Sequence, residues 1–359
     1  MKKMSYLLKL FKDRPIIALD IGTYSIKLVQ LQRLKREYKL LNFGMIPLPP
    51  GVITEEKINE PDTVVEAIKN LAASEKIKTK HVALAVSGSS VVIKKISVPV
   101  MSEAELAEAI QAEAEQYIPY DIADVNLDFY ILPQEDQETN QMPVIFVAVK
   151  SEKIQEYSDI IQRAGLNPAI IDVDVFAIEN SYEHNYGTYP GVIGLIDIGA
   201  NITNINILED GITSFTRDIP FGGNRYNHAI ADQLKVSDED AERLKLGIMV
   251  KGISSSEVVP IMVSVTQDLA LMINESLDFF HSSGPEKDIS KLALSGGCTR
   301  IDGIEQLLAE ILHCPLEISN PFKNIKVDER EFDPEYIRDM SPLAAVSVGL
   351  ALRSPVDKL

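Results

Sequence analysis

Two segments of this chain repeat nearly the same pattern, and the repeat constrains the fold more than any other feature. Residues 17–23 read Ile-Ala-Leu-Asp-Ile-Gly-Thr, and residues 195–201 read Leu-Ile-Asp-Ile-Gly-Ala-Asn. Each apolar run ends in Asp-Ile-Gly and leads into a second alternating run, at 26–31 and at 202–208. Alternating runs around a tight glycine turn are typical of a β-hairpin. The repeat therefore predicts two equivalent hairpins in a duplicated structure.

Hairpins of this kind can hold phosphate. Glycine permits a tight turn whose N–H groups point at anionic oxygens, and an aspartate at the strand end can orient hydrated Mg²⁺. We therefore predict phosphate contacts for Asp20, Gly22, Thr23, Tyr24, Ser25, Lys27, Asp197, Gly199, Ala200 and Asn201. Asp20 and Asp197 are the candidate magnesium residues, through water. The alternative is that both aspartates only cap the adjacent turns.

A third segment, residues 292–304, reads as a strand, a Gly-Gly turn and a helix. Without side chains, the glycine pair lets a base or ribose lie on the backbone at the helix N-terminus. The candidate adenosine residues here are Gly296, Gly297, Cys298 and Arg300. The order of the three segments resembles the actin, Hsp70 and sugar-kinase superfamily. That resemblance implies an α/β fold, a duplicated two-lobe ATPase of the actin-like, ribonuclease-H-like type.

Two further motifs lie between the second hairpin and the adenosine segment. Gly222, Gly223 and Asn224 resemble the superfamily's Gly-Gly-Asp/Asn element near the γ-phosphate, where paired glycines can offer N–H groups. Residues 241–245 match an Ala-Glu-x-x-Lys motif whose acid and lysine contact adenosine in that superfamily. The i, i+3 spacing puts Glu242 and Lys245 on one helix face, where they can pair.

Asp174 is the candidate catalytic residue. Residues 172–178 open a helix where actin-like ATPases carry a Glu-Pro-x-Ala-like segment that positions the attacking water. Asp174 matches the acid, but Val175 replaces the proline and aspartate is shorter than glutamate. We therefore expect slow ATP hydrolysis or none. The alternative is that Asp174 is only a helix N-cap.

Residues 88–170 read as a separate α+β unit with the order strand, helix, two strands, helix, strand. Ser102 and Glu105 form a predicted capping box, and the helix it opens would turn Leu106, Ile110 and Tyr117 inward. The unit contains no arrangement of side chains typical of catalysis, which favours a binding role.

Composition excludes several classes of protein. The formal net charge of −18 over 359 residues argues against wholesale binding of nucleic acid. The two cysteines have no metal or disulfide spacing and suit a reducing compartment. No apolar run reaches about 18 residues, so no transmembrane helix is expected. Residues 1–14 form a short basic amphipathic leader that either lies on a membrane surface or docks on the first lobe.

Across almost its whole length, the chain resembles the PilM family of type IV pilus assembly proteins, and more distantly the division protein FtsA. The resemblance rests on the basic leader, on Asp-Ile-Gly-Thr-Tyr-Ser-Ile-Lys-Leu-Val at 20–29, on Tyr-Ile-Pro-Tyr at 117–120 and on residues 172–178. It implies a cytoplasmic ATP- and Mg²⁺-binding protein at the inner membrane, acting in pilus assembly and twitching motility. Its partners would be the N-terminal peptide of PilN, docked between the insertion and the first lobe, and the pilus motor ATPases.

The predicted domains follow from this resemblance. The first lobe comprises 15–87 and 171–190, the insertion 88–170 and the second lobe 191–340. A closing helix in 341–359 returns towards the first lobe, and Ala345 and Gly349 would allow it to approach another helix closely. Two other functions stay open. One is a self-associating, filament-forming FtsA-like protein. The other is a metabolite kinase of the same superfamily that uses Asp172 or Asp174.

Overall fold

A computed structural model describes residues 15–35, 37–54, 57–133, 140–282 and 287–354. The predicted leader at 1–14 lies outside the described residues. The strands are β1 (Ile16–Ile21), β2 (Ser25–Arg33), β3 (Tyr38–Pro47), β4 (Ile53–Thr54), β5 (Lys57–Ile58), β6 (His81–Val86), β7 (Val91–Pro99), β8 (Val125–Ile131), β9 (Gln141–Lys150), β10 (Asn167–Val173), β11 (Val192–Ile198), β12 (Thr203–Glu209), β13 (Ile212–Ile219), β14 (Ile289–Ser295), β15 (Leu316–Ile318) and β16 (Ile325–Lys326).

The helices are α1 (Pro61–Ser74), α2 (Glu103–Glu115), α3 (Ser151–Arg163), α4 (Asp174–Tyr186), α5 (Gly223–Leu234), α6 (Asp238–Lys245), α7 (Ser255–Ser282), α8 (Ile304–Leu312), α9 (Pro334–Met340) and α10 (Ala345–Leu352). Short 3₁₀ turns occupy Ile122–Asp124, Gly297–Arg300 and Ser341–Ala344. The sequence predicted most of these elements. Helix α1 begins at Pro61, behind Glu60 at the N-cap position.

Two sheets repeat one topology, and this confirms the predicted duplication. The first has the order β10-β6-β1-β2-β3-β16 and the second β13-β12-β11-β14-β15. In each sheet three antiparallel strands are followed by two parallel ones, so β3-β2-β1-β6-β10 corresponds to β13-β12-β11-β14-β15. Strand β16 extends the first sheet alone.

Each lobe has helices on both faces of its sheet, so the strands are buried on both sides and read as nearly continuous apolar runs. In β1, Ile17 and Leu19 pack in a core with α1 and α3 on the outer face. Ile16 and Ala18 on the other face belong to a core that includes α4, α10 and residues of the second sheet. The two lobes therefore share an apolar interface formed largely by α4 and α10.

Helices α4 and α10 approach each other so closely that one contact excludes a side chain. A Cβ atom at Gly349 would lie 1.7 Å from the carbonyl oxygen of Ala177. The predicted close approach of the closing helix thus occurs at Gly349. The helix itself begins at Ala345, after the 3₁₀ turn at Ser341–Ala344, rather than at residue 341.

The insertion consists of the sheet β7-β9-β8 with α2 on one face. The predicted capping box forms: the Glu105 N–H donates to Ser102 Oγ at 3.2 Å, and the Ser102 N–H donates to the Glu105 carboxylate at 2.8 Å. Leu106 and Ile110 point inward as expected. Tyr117 does not, because α2 ends at Glu115 and the tyrosine side chain stays 42% exposed.

Two boundaries of the predicted domains need revision. Strand β10 pairs with β6, and α3 packs in the outer core of the first lobe, so residues 151–170 belong to that lobe rather than to the insertion. The second lobe was predicted to extend to residue 340. Instead β16 joins the first sheet, and Phe322 and Ile325 are buried.

Helix α7 is the long element that the sequence analysis missed. By length and composition it is the one helix among the described residues that could span a membrane. Its inner face packs in the core of the second lobe through Leu269, Ile273 and Leu277. Asp268, Glu275 and Asp278 interrupt its outer face, so we assign it to the lobe as a surface helix.

Candidate nucleotide-binding site and the groove beside the insertion

The two predicted hairpin turns face each other across the cleft between the lobes. Each turn closes in the same way: the Gly22 N–H donates to the Ser25 carbonyl at 3.1 Å, and the Gly199 N–H donates to the Ile202 carbonyl at 2.9 Å. Across the cleft, the Asn201 amide donates to the Thr23 hydroxyl at 3.5 Å. The duplication therefore places two equivalent turns on opposite sides of one space.

The cleft encloses about 1220 Å³, open solvent included, and nearly all predicted site residues line it. They are Asp20, Gly22, Thr23, Tyr24, Ser25, Lys27, Asp174, Asp197, Gly199, Ala200, Asn201, Gly223, Asn224, Glu242, Lys245, Gly296, Gly297, Cys298 and Arg300. Gly222 is the exception. It packs behind the second turn, where a Cβ atom would lie 2.6 Å from the Gly199 carbonyl oxygen.

Three carboxylates, those of Asp20, Asp174 and Asp197, and the ammonium group of Lys27 set the charge at the base of the cleft. Lys27 pairs with Asp20 at 2.9 Å, and Asp197 accepts a hydrogen bond from the Ser295 hydroxyl at 2.7 Å. Burial alone would lower the pKa of Lys27, but the neighbouring carboxylates, Asp20 foremost, raise it overall. Burial raises the pKa of Asp197 to about 6. The site therefore holds more buried negative charge than one lysine neutralises, which favours a bound cation.

Asp174 lies at the start of α4, deep in the same cleft. Val173 occupies the N-cap position, so the interpretation of Asp174 as an N-cap is wrong. Burial, followed by the nearby charge of Asp20, raises the pKa of Asp174 to about 8, although a hydrogen bond with Ser87 opposes the shift. Asp174 is therefore mainly protonated at neutral pH, which makes it a poor base.

The candidate adenosine wall comes from the second lobe. Lys245 and Glu242 pair at 2.6 Å on α6, and the Asn227 amide also donates to Glu242 at 2.7 Å. Ser237 caps α6, where its hydroxyl accepts a hydrogen bond from the Asp240 N–H. Tyr24 reaches towards this wall from the first lobe: burial, followed by the charge of Glu242, raises its pKa, while Arg300 lowers it.

The two adjacent glycines differ in their surroundings: Gly296 packs against the backbone, whereas Gly297 faces open space. Gly296 has φ +91° and donates its N–H to the Pro342 carbonyl, and a Cβ atom there would lie 2.5 Å from the Ile198 carbonyl oxygen. Gly297 has open space at its Cβ position. It begins a 3₁₀ turn, and the predicted helix follows at Ile304. The Cys298 thiol is directed at the Gly199 carbonyl, and burial raises its pKa to about 12.

The sequence analysis missed several residues that line the cleft, among them Ile53, Ser87, Lys153 and Tyr157. Lys153 and Tyr157 lie one turn apart on α3, with the lysine 3.5 Å from Glu156. The only sequence pattern that could have identified Lys153 as a cleft residue is its helical spacing from the aromatic Tyr157. This pattern is weak evidence, because long side chains commonly cover apolar helix faces.

Among the described residues, no group of three or more His, Cys, Asp or Glu side chains is arranged to hold a metal ion directly. The acidic residues present suit an outer-sphere role, in which phosphate oxygens and water complete the shell of Mg²⁺.

A separate groove lies between the insertion and the first lobe. Its walls are the edge strands β8 and β10, and its lining includes Leu127, Asp128, Ile154 and Ala169. At its floor Arg353 pairs with the buried Asp172 at 2.6 Å. Asp172 is thus held in a structural ion pair.

The fold and the cleft define a two-lobed protein of the actin-like ATPase class. Within that class the chain belongs to the PilM family, because the sequence model described as type IV pilus assembly protein PilM matches residues 18–355.

Comparison with individual proteins agrees with this assignment. A solved PilM–PilN type IV pilus biogenesis complex is 29% identical, with a TM-score of 0.85 over 95% of this chain and 98% of that one. FtsA of Borreliella burgdorferi is 24% identical over 371 residues, 89% of this chain and 88% of that protein. Crystalline MreB5 of Spiroplasma citri bound to ADP shares the fold, with a TM-score of 0.56 and 15% identity over 94% and 95% of the two chains.

Proposed function

We propose that this type IV pilus assembly protein binds Mg²⁺-ATP in the cleft and the N-terminal peptide of the inner-membrane protein PilN in the groove. It would thereby act at the cytoplasmic face of the inner membrane and link PilN to the pilus motor. The observation that carries the proposal is the similarity, over almost the whole chain, to a protein solved in a PilM–PilN complex.

For nucleotide, the opposed turns 22–25 and 199–202 flank a phosphate chain on both sides. The Gly22 and Gly199 N–H groups close the turns, so the backbone N–H groups that follow them are the donors to phosphate. Lys27 contributes the buried positive charge, and Asp20 and Asp197 hold the water shell of the magnesium ion. Gly297 leaves room for the base, with Glu242 and Lys245 beside the ribose.

Titration calorimetry with Mg²⁺-ATP tests this assignment. Asp20→Asn removes one outer-sphere acid and the partner of Lys27, so ATP affinity falls by about tenfold or more. Asp302→Asn, an exposed position outside the cleft, is the matched control and keeps the wild-type affinity. Equal affinity in both variants would contradict a phosphate site at the first turn.

For the peptide, the groove offers what an extended chain requires. Among the described strands, β8 pairs only with β9 and β10 only with β6, so each has a free edge for backbone hydrogen bonds. Leu127, Ile154 and Ala169 provide an apolar lining, and the exposed Asp128 favours a basic residue in the peptide. The acidic helix α2 does not line the groove.

Fluorescence anisotropy with a labelled PilN N-terminal peptide tests the groove. Ala169 is exposed, so Ala169→Trp fills the groove without disturbing a core, and we expect peptide affinity to fall by about tenfold or more. Ala104→Trp on the exposed face of α2 is the control. Wild-type peptide affinity in a folded Ala169→Trp variant would place the peptide elsewhere.

The FtsA relatives favour self-association as a second candidate function. ATP-dependent sedimentation of the purified protein tests it. A metabolite kinase is a poorer fit, because Asp172 is held by Arg353 and Asp174 is mainly protonated at neutral pH.

A further inference from the structure

The insertion is flanked by two depressions. One is the groove described above. The other, the β7–β13 cleft, lies between the insertion and the second lobe and encloses about 1190 Å³, open solvent included. Its floor includes Ser87, Asp174, Ile202 and Asn204, which also line the nucleotide cleft. The β7–β13 cleft therefore adjoins the Asp174 side of the nucleotide cleft.

Both long walls of this cleft are strand edges. Within the described part of the chain, β7 pairs only with β9, and β13 pairs only with β12. Val91, Val92, Ile93 and Lys94 are consecutive lining residues on β7, so the cleft follows the edge of this strand. A free edge carries unpaired N–H and C=O groups, which an extended peptide can satisfy.

The inner end of the cleft is closed by a bond between the lobes. The Gly88 N–H donates to the Asp218 carboxylate at 2.8 Å, and the Asn204 amide donates to the same side chain at 2.7 Å. Asp218 is therefore satisfied by these donors. A ligand would instead bind along the outer part of the cleft.

The outer part of the cleft combines apolar surface with positive charge. Tyr117, which is 42% exposed, lines the cleft on the sheet face of Lys94, and Ile93 lines it on the opposite face. Lys94 and Arg217 are also exposed, and neither forms an ion pair with another described residue. In a chain with a formal net charge of −18, two unpaired cations on one apolar cleft attract an anionic partner.

We propose that the β7–β13 cleft docks an extended segment of another protein in which acidic residues alternate with apolar ones. Its backbone pairs with the β7 edge, its apolar side chains lie on the sheet face of Ile93, and its carboxylates lie on the opposite face, where they meet Lys94, with Arg217 across the cleft. The chemistry differs from that of the first groove, where the exposed charge is Asp128. The proposal does not depend on the peptide or nucleotide assignments above.

A phage-displayed library of random peptides tests this on the full-length protein. Peptides of about nine residues match the length of β7 at roughly 3.3 Å per residue. Selection is expected to enrich sequences that alternate Asp or Glu with Leu, Ile or Val. The enriched peptides, synthesised with a fluorescent label, then serve as the probe in anisotropy measurements.

Charge reversal of Lys94 and Arg217, both to Glu, is expected to lower the affinity for these peptides by about tenfold or more. Reversal of Lys69 and Lys251, which are exposed elsewhere, leaves their affinity unchanged. Ile93→Ser provides a second variant that keeps the charge and weakens binding through lost apolar contact. Ala169→Trp, which fills the first groove, has no effect.

Three results would overturn the proposal: no enrichment of acidic sequences, equal affinity in the Lys94/Arg217 variant, or loss of binding in Ala169→Trp. The last result would assign the peptides to the first groove. ATP titration of each variant shows separately whether the nucleotide site is intact.

Discussion

At the scale of single residues, Gly296 and Gly297 are adjacent but differ in their tolerance for a side chain. We predict that Gly297→Val abolishes ATP binding and keeps the melting temperature, because its Cβ points into the open cleft. Gly296→Val instead lowers the melting temperature sharply, since its backbone has φ +91° and its Cβ would meet the Ile198 carbonyl.

Calorimetry with ATP, together with thermal unfolding, separates the two effects. Gly51 also has a positive φ but open surroundings. Gly51→Val therefore shows how far a strained backbone alone lowers the melting temperature. Unchanged ATP affinity in Gly297→Val would contradict the placement of the base.

Asp174 leads to a prediction about pH. An unfolded aspartate ionises near pH 4, whereas folded Asp174 has a pKa of about 8. Between these values the folded protein holds more protons than the unfolded one, so the free energy of unfolding falls as pH rises. Asp174→Asn cannot ionise, so at pH 8 it is more stable than the wild type by about 1 kcal/mol or more.

Urea unfolding of the nucleotide-free protein from pH 5 to 8 tests this prediction. Ser87→Ala is a useful companion, because losing its hydrogen bond raises the pKa of Asp174 further and steepens the wild-type trend. Parallel pH dependence in the wild type and in Asp174→Asn would mean that Asp174 ionises normally.

The sequence predicted the residues of the cleft well, because the turns depend on local glycine and aspartate patterns. It could not separate Gly296 from Gly297, since the crowding at Gly296 comes from Ile198, almost a hundred positions earlier in the chain. Lys153 was missed for a similar reason. Only the tertiary fold brings α3 beside the first hairpin.

At the scale of elements, the α4–α10 crossing depends on one small residue. Gly349→Val puts a branched side chain against the Ala177 carbonyl, where even a Cβ atom would lie 1.7 Å away. We predict a loss of roughly 3 kcal/mol or more in unfolding free energy, because the two helices must separate. Gly297→Ala, with open space at its Cβ position, is the control.

Chemical denaturation of both variants measures this loss. If Gly349→Val matched the control, the two helices would be less tightly packed than described.

Elements with strong local signals were predicted, and those defined by distant partners were not. The capping box located α2, and alternating apolar residues located both hairpins. Strand β16 has two residues, too few for any periodicity, and exists because Tyr38 and Lys39 offer a free edge. The end of the insertion was misplaced because β10 reads as a strand in either sheet.

At the scale of the whole molecule, the arrangement of charge predicts slow chemistry. Asp174 is mainly protonated, and its side chain is shorter than that of the glutamate found at this position in actin-like ATPases. The attacking water is therefore poorly oriented. We expect the isolated protein to turn over ATP below about 1 s⁻¹ at pH 7, and faster as pH rises towards 9. A coupled ADP-release assay measures this rate.

Asp174→Asn serves as the control for that assay. Its side chain cannot ionise, so its ATP turnover rate should not rise with pH. Turnover above about 1 s⁻¹ at pH 7 in the wild type would contradict the assignment of a mainly protonated Asp174.

The crossing of the chain between the lobes has a consequence for synthesis on the ribosome. The first sheet receives its last strand from Ile325–Lys326, and its inner core receives α10 from Ala345–Leu352. Most of the first lobe therefore emerges early, with one apolar face still uncovered. It waits for nearly the entire remainder of the chain before that face is buried. A nascent chain of this protein would need protection by chaperones until α10 has left the ribosome.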